Sequence, residues 1–114
     1  MSVKLTTRRV GEVTIIDAAG RITLGEGSSA LRHALREQID RQQRRILLNL
    51  GAVTHIDSAG IGELVTGFTQ VTRSGGQLKL LGPTKLVRDL LRIVKVDSLF
   101  EVFDEEATAV RSFP

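Results

Sequence analysis

Apolar residues recur along this chain with two periods, and the period changes where turn residues fall. Val3–Thr7 and Val13–Ala19 predict two strands around the turn residues Gly11-Glu12, with Gly20 ending the second. Leu31, Ala34, Leu35 and Ile39 share one helical face, which predicts a helix from about Ser29 to Arg41 capped by Ser28 or Ser29. Arg45–Leu50 holds the run Ile46-Leu47-Leu48-Asn49-Leu50 and reads as a buried strand. Ile61, Leu64, Val65, Phe68 and Val71 then return to helical spacing, predicting a helix over Ser58–Arg73 closed by Gly75-Gly76. Gln77–Leu81 predicts a fourth strand, and Gly82-Pro83-Thr84 the start of a third helix with Leu86, Val87, Leu90, Leu91 and Val94 on its inner face. Leu99–Phe103 predicts a short fifth strand, and Asp104-Glu105-Glu106 a last helix with acidic residues at its positive end. Strands alternating with helices imply an α/β domain: a mixed, mostly parallel sheet of about five strands with about four helices and right-handed crossovers.

Bulk properties narrow the function classes. At 114 residues the chain is expected to be a single domain spanning 1–114, with room for one real core. Its 41% hydrophobic content is ordinary for a globular protein, and no apolar stretch approaches the roughly 20 residues of a membrane helix, so no membrane insertion is expected. The opening Met-Ser-Val-Lys-Leu-Thr-Thr-Arg-Arg has no apolar signal core, and the chain has no cysteine, so a cytoplasmic location is expected. Without cysteine there is no disulfide, thiolate nucleophile or sulfur metal site. A net charge of +3 with four Phe and neither Tyr nor Trp is too weak a basis for a nucleic-acid partner.

The chemistry concentrates in residues 55–64, His-Ile-Asp-Ser-Ala-Gly-Ile-Gly-Glu-Leu. Asp57 and Ser58 fall where a strand hands over to a helix N-terminus, whose unpaired N–H groups and dipole favour an anion. Gly60 and Gly62 predict a corner with little side-chain bulk, where another protein's backbone can come close. Taken alone, Asp-Ser is a helix cap. A hydrolase triad of His55, Asp57 and Ser58 is excluded by spacing, because extended alternation puts Ser58 opposite the other two. His33 is expected on a solvent face, with no neighbouring ligand pattern and hence no metal. Gly60-x-Gly62 lacks the third glycine of a dinucleotide loop and the Gly-Lys-Ser/Thr of a phosphate loop, so no nucleotide cofactor is expected. A phospho-acceptor aspartate of the receiver type needs an acidic pair after the first strand and a lysine after the fifth. Here those positions read Asp17-Ala18-Ala19 and Asp104. Lys85, Arg88, Arg92 and Lys95 recur at helical spacing opposite the apolar face, as a solvated face would, with an acidic partner as the second reading.

Leu-Leu-Asn-Leu followed by Ile-Asp-Ser-Ala-Gly-Ile-Gly, then Gly75-Gly76-Gln77-Leu78-Lys79-Leu80, resembles the STAS family, specifically the bacterial anti-sigma factor antagonists. The likeness extends to Gly20-Arg21-Ile22 and to Val94–Phe100. It implies a small non-catalytic domain that binds an anti-sigma factor, itself a serine kinase of the GHKL ATPase type, and so frees a sigma factor. It further implies that this kinase phosphorylates Ser58 and that a metal-dependent serine phosphatase reverses the mark. The partner-binding surface implied is Arg21, Thr23, Asp57, Ser58, Ala59, Gly60, Ile61 and Gly62, with the Arg21–Gly25 loop at its flank. Two positions depart from the pattern: Ala59 stands where Ser or Thr is common, leaving Ser58 the single hydroxyl of the motif, and Thr23 stands where an acidic residue is usual. The competing reading is a STAS scaffold subunit working without phosphorylation, in a sensory complex or a lipid-transport ATPase. The intact Asp57-Ser58 pair favours the switch.

Overall fold

Alternation along two long apolar strands supplies both faces of one sheet. In the computed structural model, which describes residues 3–114, the strands β1 (Val3–Val10), β2 (Val13–Ile22), β3 (Arg45–Ile56), β4 (Gln77–Leu81) and β5 (Val102–Phe103) lie side by side in that order. β1 pairs antiparallel with β2 through the Gly11-Glu12 turn, and all later pairings are parallel. The helices are α1 (Glu26–Asp40), α2 (Ser58–Arg73), α3 (Lys85–Ile93) and α4 (Glu106–Arg111). This is the mixed five-stranded sheet with four helices that the periodicity predicts.

The two faces carry unequal cores. Ile16, Ala18 and Ile22 of β2 and Ile46, Leu48 and Leu50 of β3 pack with Leu31 and Leu35 of α1, Ile61, Leu64 and Val71 of α2, and Val87 and Leu91 of α3. The alternate residues Val13, Ile15, Leu47 and Leu81 form a smaller cluster with Ala109 of α4 and Phe113 beyond it, edged by the partly buried Val10, Phe103 and Val110. β3 is therefore apolar on both sides, as a central parallel strand must be. Each Leu or Ile buried in this way contributes about 1.5–3 kcal/mol relative to exposure. On the α4 face the remaining sheet area is closed by polar contacts. The Arg8 guanidinium donates to both oxygens of Asp17 (2.6 and 3.2 Å) and of Glu106 (2.6 and 3.0 Å), and Asn49 also donates to Asp17. Lys79 is buried there, donating at 3.0 Å to both the carbonyl and the hydroxyl of Ser112, with Nζ 4.6 Å from the Phe113 ring centroid.

Several local expectations are corrected. α1 begins at Glu26, not at about Ser29, and its N-cap is Gly25, which has no side chain to cap with. Ser28 is instead buried inside the first turn, its hydroxyl donating to Gly25 O. β2 does not end at Gly20 but runs to Ile22, and β3 continues beside it beyond Leu50 to Ile56, pairing Ala19 with Ala52 and Ile22 with Ile56 across two register irregularities. Leu86 and Val94 face outward, 48% and 39% exposed, because the nine-residue α3 packs through Val87 and Leu91. Leu99 lies in a single 3₁₀ turn (Asp97–Leu99), so β5 shrinks to two residues paired with Leu80 and Leu81. The closure of α2 is as expected: Gly75 has φ 87°, and the amides of Gly75 and Gly76 bond back to Thr72 O and Val71 O, a Schellman stop. Among the described residues, no helix is long and apolar enough to cross a membrane, and no group of three or more His, Cys, Asp or Glu could hold a metal ion.

Candidate functional site

Asp57 ends the β3 extension in an extended conformation and turns the chain into α2. Its two carboxylate oxygens have different tasks. Oδ1 accepts the Gly60 amide at 3.0 Å, capping the helix, while Oδ2 accepts the Leu24 amide at 2.9 Å from the β2–α1 loop. The amides of Leu24 and then Gly60 hold the Asp57 carboxyl below the usual carboxylate range. One side chain thus joins two loops at the C-terminal ends of adjacent parallel strands.

Two glycines set how closely those loops approach. A Cβ on Gly60 would run into Ile22 O and lie 2.8 Å from Ile56 Cγ1. A Cβ on Gly27, in the first turn of α1, would run into Arg21 O. The first turns of both helices therefore press on the backbone of Arg21-Ile22, the last residues of β2. The bulk-free side of Gly60 points into the fold and not toward a partner, which corrects its expected role. Gly62 has open space where a Cβ would stand, so it is the glycine that faces solvent.

The sequence-predicted residues divide accordingly. Arg21, Ser58 and Gly62 are exposed; Thr23, Asp57 and Ala59 are partly exposed; Gly60 and Ile61 are buried. Ser58 is the first residue of α2, and its hydroxyl makes no hydrogen bond to another described residue. His55 sits on β3 with Nδ1 3.0 Å from Thr54 Oγ1, engaged with its neighbour and not with Ser58. Arg32 of α1 and Glu63 of α2 form an ion pair at 2.9 Å that ties the two helices beside the site. Sequence reasoning named the Arg21–Gly25 loop but missed Leu24 itself, which is 80% exposed. Its signal was an apolar residue stranded between Thr23 and Gly25, outside both the preceding strand and the following helical period. A depression of about 580 Å³ on the outer side of α1, lined by residues from His33 to Arg41, includes neither Asp57 nor Ser58.

A STAS domain model matches residues 4–109. The chain belongs to the STAS domain family. It is 27% identical over 110 residues, 96% of its own length and 94% of the other, to BtrV of Bordetella bronchiseptica, which bears the name of an anti-sigma factor antagonist. A Thermotoga maritima protein named in the same way has the same fold, with a TM-score of 0.87 at 21% identity over 96% of this chain and 93% of that one. The Bacillus protein SpoIIAA in its phosphorylated form also has this fold, with a TM-score of 0.74 at 18% identity over 96% of this chain and 99% of that one.

Proposed function

We propose that this STAS domain is an anti-sigma factor antagonist whose contact surface is switched by phosphorylation of Ser58. Unmodified, it binds an anti-sigma factor that is a GHKL-type serine kinase, and a sigma factor is freed to activate transcription in the cytoplasm. Phosphorylated by that kinase, it lets go, and a metal-dependent serine phosphatase restores it. The domain acts by binding and contributes no chemistry of its own.

The observation that carries this reading is the exposed Ser58 hydroxyl at the first position of α2, beside a carboxylate already committed to two backbone amides. A phosphoserine adds about −1.5 to −2 charges and three acceptor oxygens. Asp57 repels that charge while the helix dipole favours it, so the fold tolerates the mark better than a closely packed partner does. A hundredfold loss of affinity needs about 2.7 kcal/mol, which bulk and desolvation at a contact can supply. The names of the relatives support the antagonist class. Incubation with the kinase and ATP, followed by mass spectrometry, is expected to place one phosphate on Ser58. Equal phosphate incorporation into Ser58→Ala would defeat the assignment.

A further inference from the structure

We propose that Leu24 is the apolar anchor of the docking surface and that Asp57 is the positioning residue that holds it out. This rests on the reading that a serine-kinase anti-sigma factor docks at Ser58. Among the described residues, Leu24 is the most exposed of the large apolar side chains, with 80% of its surface open. Exposure of this kind usually means a mobile loop, but this loop is held on both sides. The Leu24 amide is bonded to Asp57 Oδ2, the Thr23 carbonyl accepts the Ser28 amide, and Arg21-Ile22 just before it is pressed between Gly27 and Gly60. Holding an apolar side chain in water has no folding benefit. It does lower the ordering penalty when a partner covers it.

The occupant follows from position. Leu24 and Ser58 are joined through the single residue Asp57, so a kinase that brings a phosphate donor to Ser58 Oγ docks beside Leu24. Thr23, Leu24 and Gly25 carry no charge between the exposed Arg21 and Glu26, so recognition at Leu24 itself is by an apolar pocket. Burial of a leucine in such a pocket is enough to change affinity about tenfold or more.

Asp57→Asn separates the two tasks of the carboxylate. Asparagine is as good an N-cap as aspartate, so Oδ1 can still accept the Gly60 amide, while its amide nitrogen meets the Leu24 N–H donor to donor. Binding is read by titration calorimetry against the purified serine-kinase anti-sigma factor of the same organism, loaded with ADP. Leu24→Ala is expected to bind at least about tenfold more weakly with an unchanged melting midpoint, and Leu24→Met to stay within about threefold of the parent. In the Asp57→Asn background, Leu24→Ala is expected to cost clearly less than it does alone, because the anchor is already released. Parent-like binding by Leu24→Ala overturns the anchor. Independent, multiplying losses in the double variant overturn the positioning role of Asp57. If the parent itself neither binds that kinase nor accepts its phosphate on Ser58, the docking reading fails and the inference fails with it.

Discussion

Two carboxylate-centred corners hold this molecule together, and they treat their surroundings in opposite ways. On the α4 face, Asp17 and Glu106 share Arg8, Asn49 joins them, and β1, β2, β3 and α4 are tied by side chains bonded to one another. At the other corner, Asp57 bonds only backbone amides, those of Leu24 and Gly60. The first arrangement uses its polar side chains internally and leaves few for a partner. The second fixes the shape of a corner through the main chain and leaves the side chains of Leu24 and Ser58 to solvent. A polar network closed on itself is a staple, whereas a carboxylate aimed at amides builds a platform.

The largest effect expected is at the glycine that lets the platform form. Gly60→Ala should cost about 2–3 kcal/mol in urea unfolding, because its Cβ meets the backbone carbonyl of Ile22, which cannot move aside. Gly62→Ala, two residues on and facing open space, should instead gain about 0.5–1 kcal/mol from helix propensity. Similar stabilities for the two variants would show that the close approach at Ile22 is unimportant.

Next come the carboxylates themselves. Asp57→Ala removes the cap and the loop tether together and should cost about 1–2 kcal/mol. Arg8→Ala should cost about 1 kcal/mol, since Arg8 and Glu106 are each 39% exposed and their pairing is screened, and raising salt should lessen the difference from the parent. An Arg8→Ala loss well beyond that of Asp57→Ala would reverse the ranking of staple and platform.

Acid should loosen both corners. Arg8 holds Asp17 and Glu106 below the usual carboxylate range, and the Leu24 and Gly60 amides do the same for Asp57. Each group binds its proton less readily folded than unfolded. Its contribution is therefore complete above the unfolded value of about 4 and is lost as pH falls through the lower folded value. Melting midpoints should be flat from about pH 5 to 7 and fall below about pH 4, with a shallower fall in Asp57→Asn. A midpoint independent of pH down to about 2.5 would contradict the role given to these groups.

The smallest effect on the fold should come from the phosphate. Phosphorylated Ser58 is expected to change unfolding free energy by no more than about 1 kcal/mol, as the helix dipole and Asp57 pull in opposite directions. Amide NMR shifts should be confined to Asp57–Gly62 and the Arg21–Gly25 loop. Shifts spread through β4, β5 and α4 would indicate a change of the whole domain instead of local blocking.

Much of the architecture was legible in the residue order. Apolar runs and helical faces placed β1 to β4 and the first three helices, the acidic run Asp104-Glu105-Glu106 placed α4, and Gly75-Gly76 marked the end of α2, since these signals arise within a few residues of chain. The Asp57-Ser58 handover was legible for the same reason: a strand, a cap and a helix follow one another directly. Elements whose stability is borrowed were misjudged. The second half of β3 reads Gly51-Ala52-Val53-Thr54 and becomes a strand only because β2 extends beside it. α1 starts early because Gly25 takes a φ of 104° and Gly27 lets the first turn close on Arg21, well before the first apolar residue of the helical face at Leu31.

Local sequence thus determined which segments become strand or helix and where an exposed hydroxyl sits at a helix start. Tertiary structure alone decided what that start is attached to. Leu24 and Asp57 are separated by all of α1 and all of β3, and no periodicity relates them; the family resemblance put their loops side by side but did not give the bond between them. They meet because parallel strands bring successive loops to the same end of a sheet. Once β2 and β3 are paired, the Leu24 amide needs an acceptor and Asp57 Oδ2 is 2.9 Å away. The same pairing turned Gly60 inward, from an apparent opening for a partner into the space that β2 itself occupies.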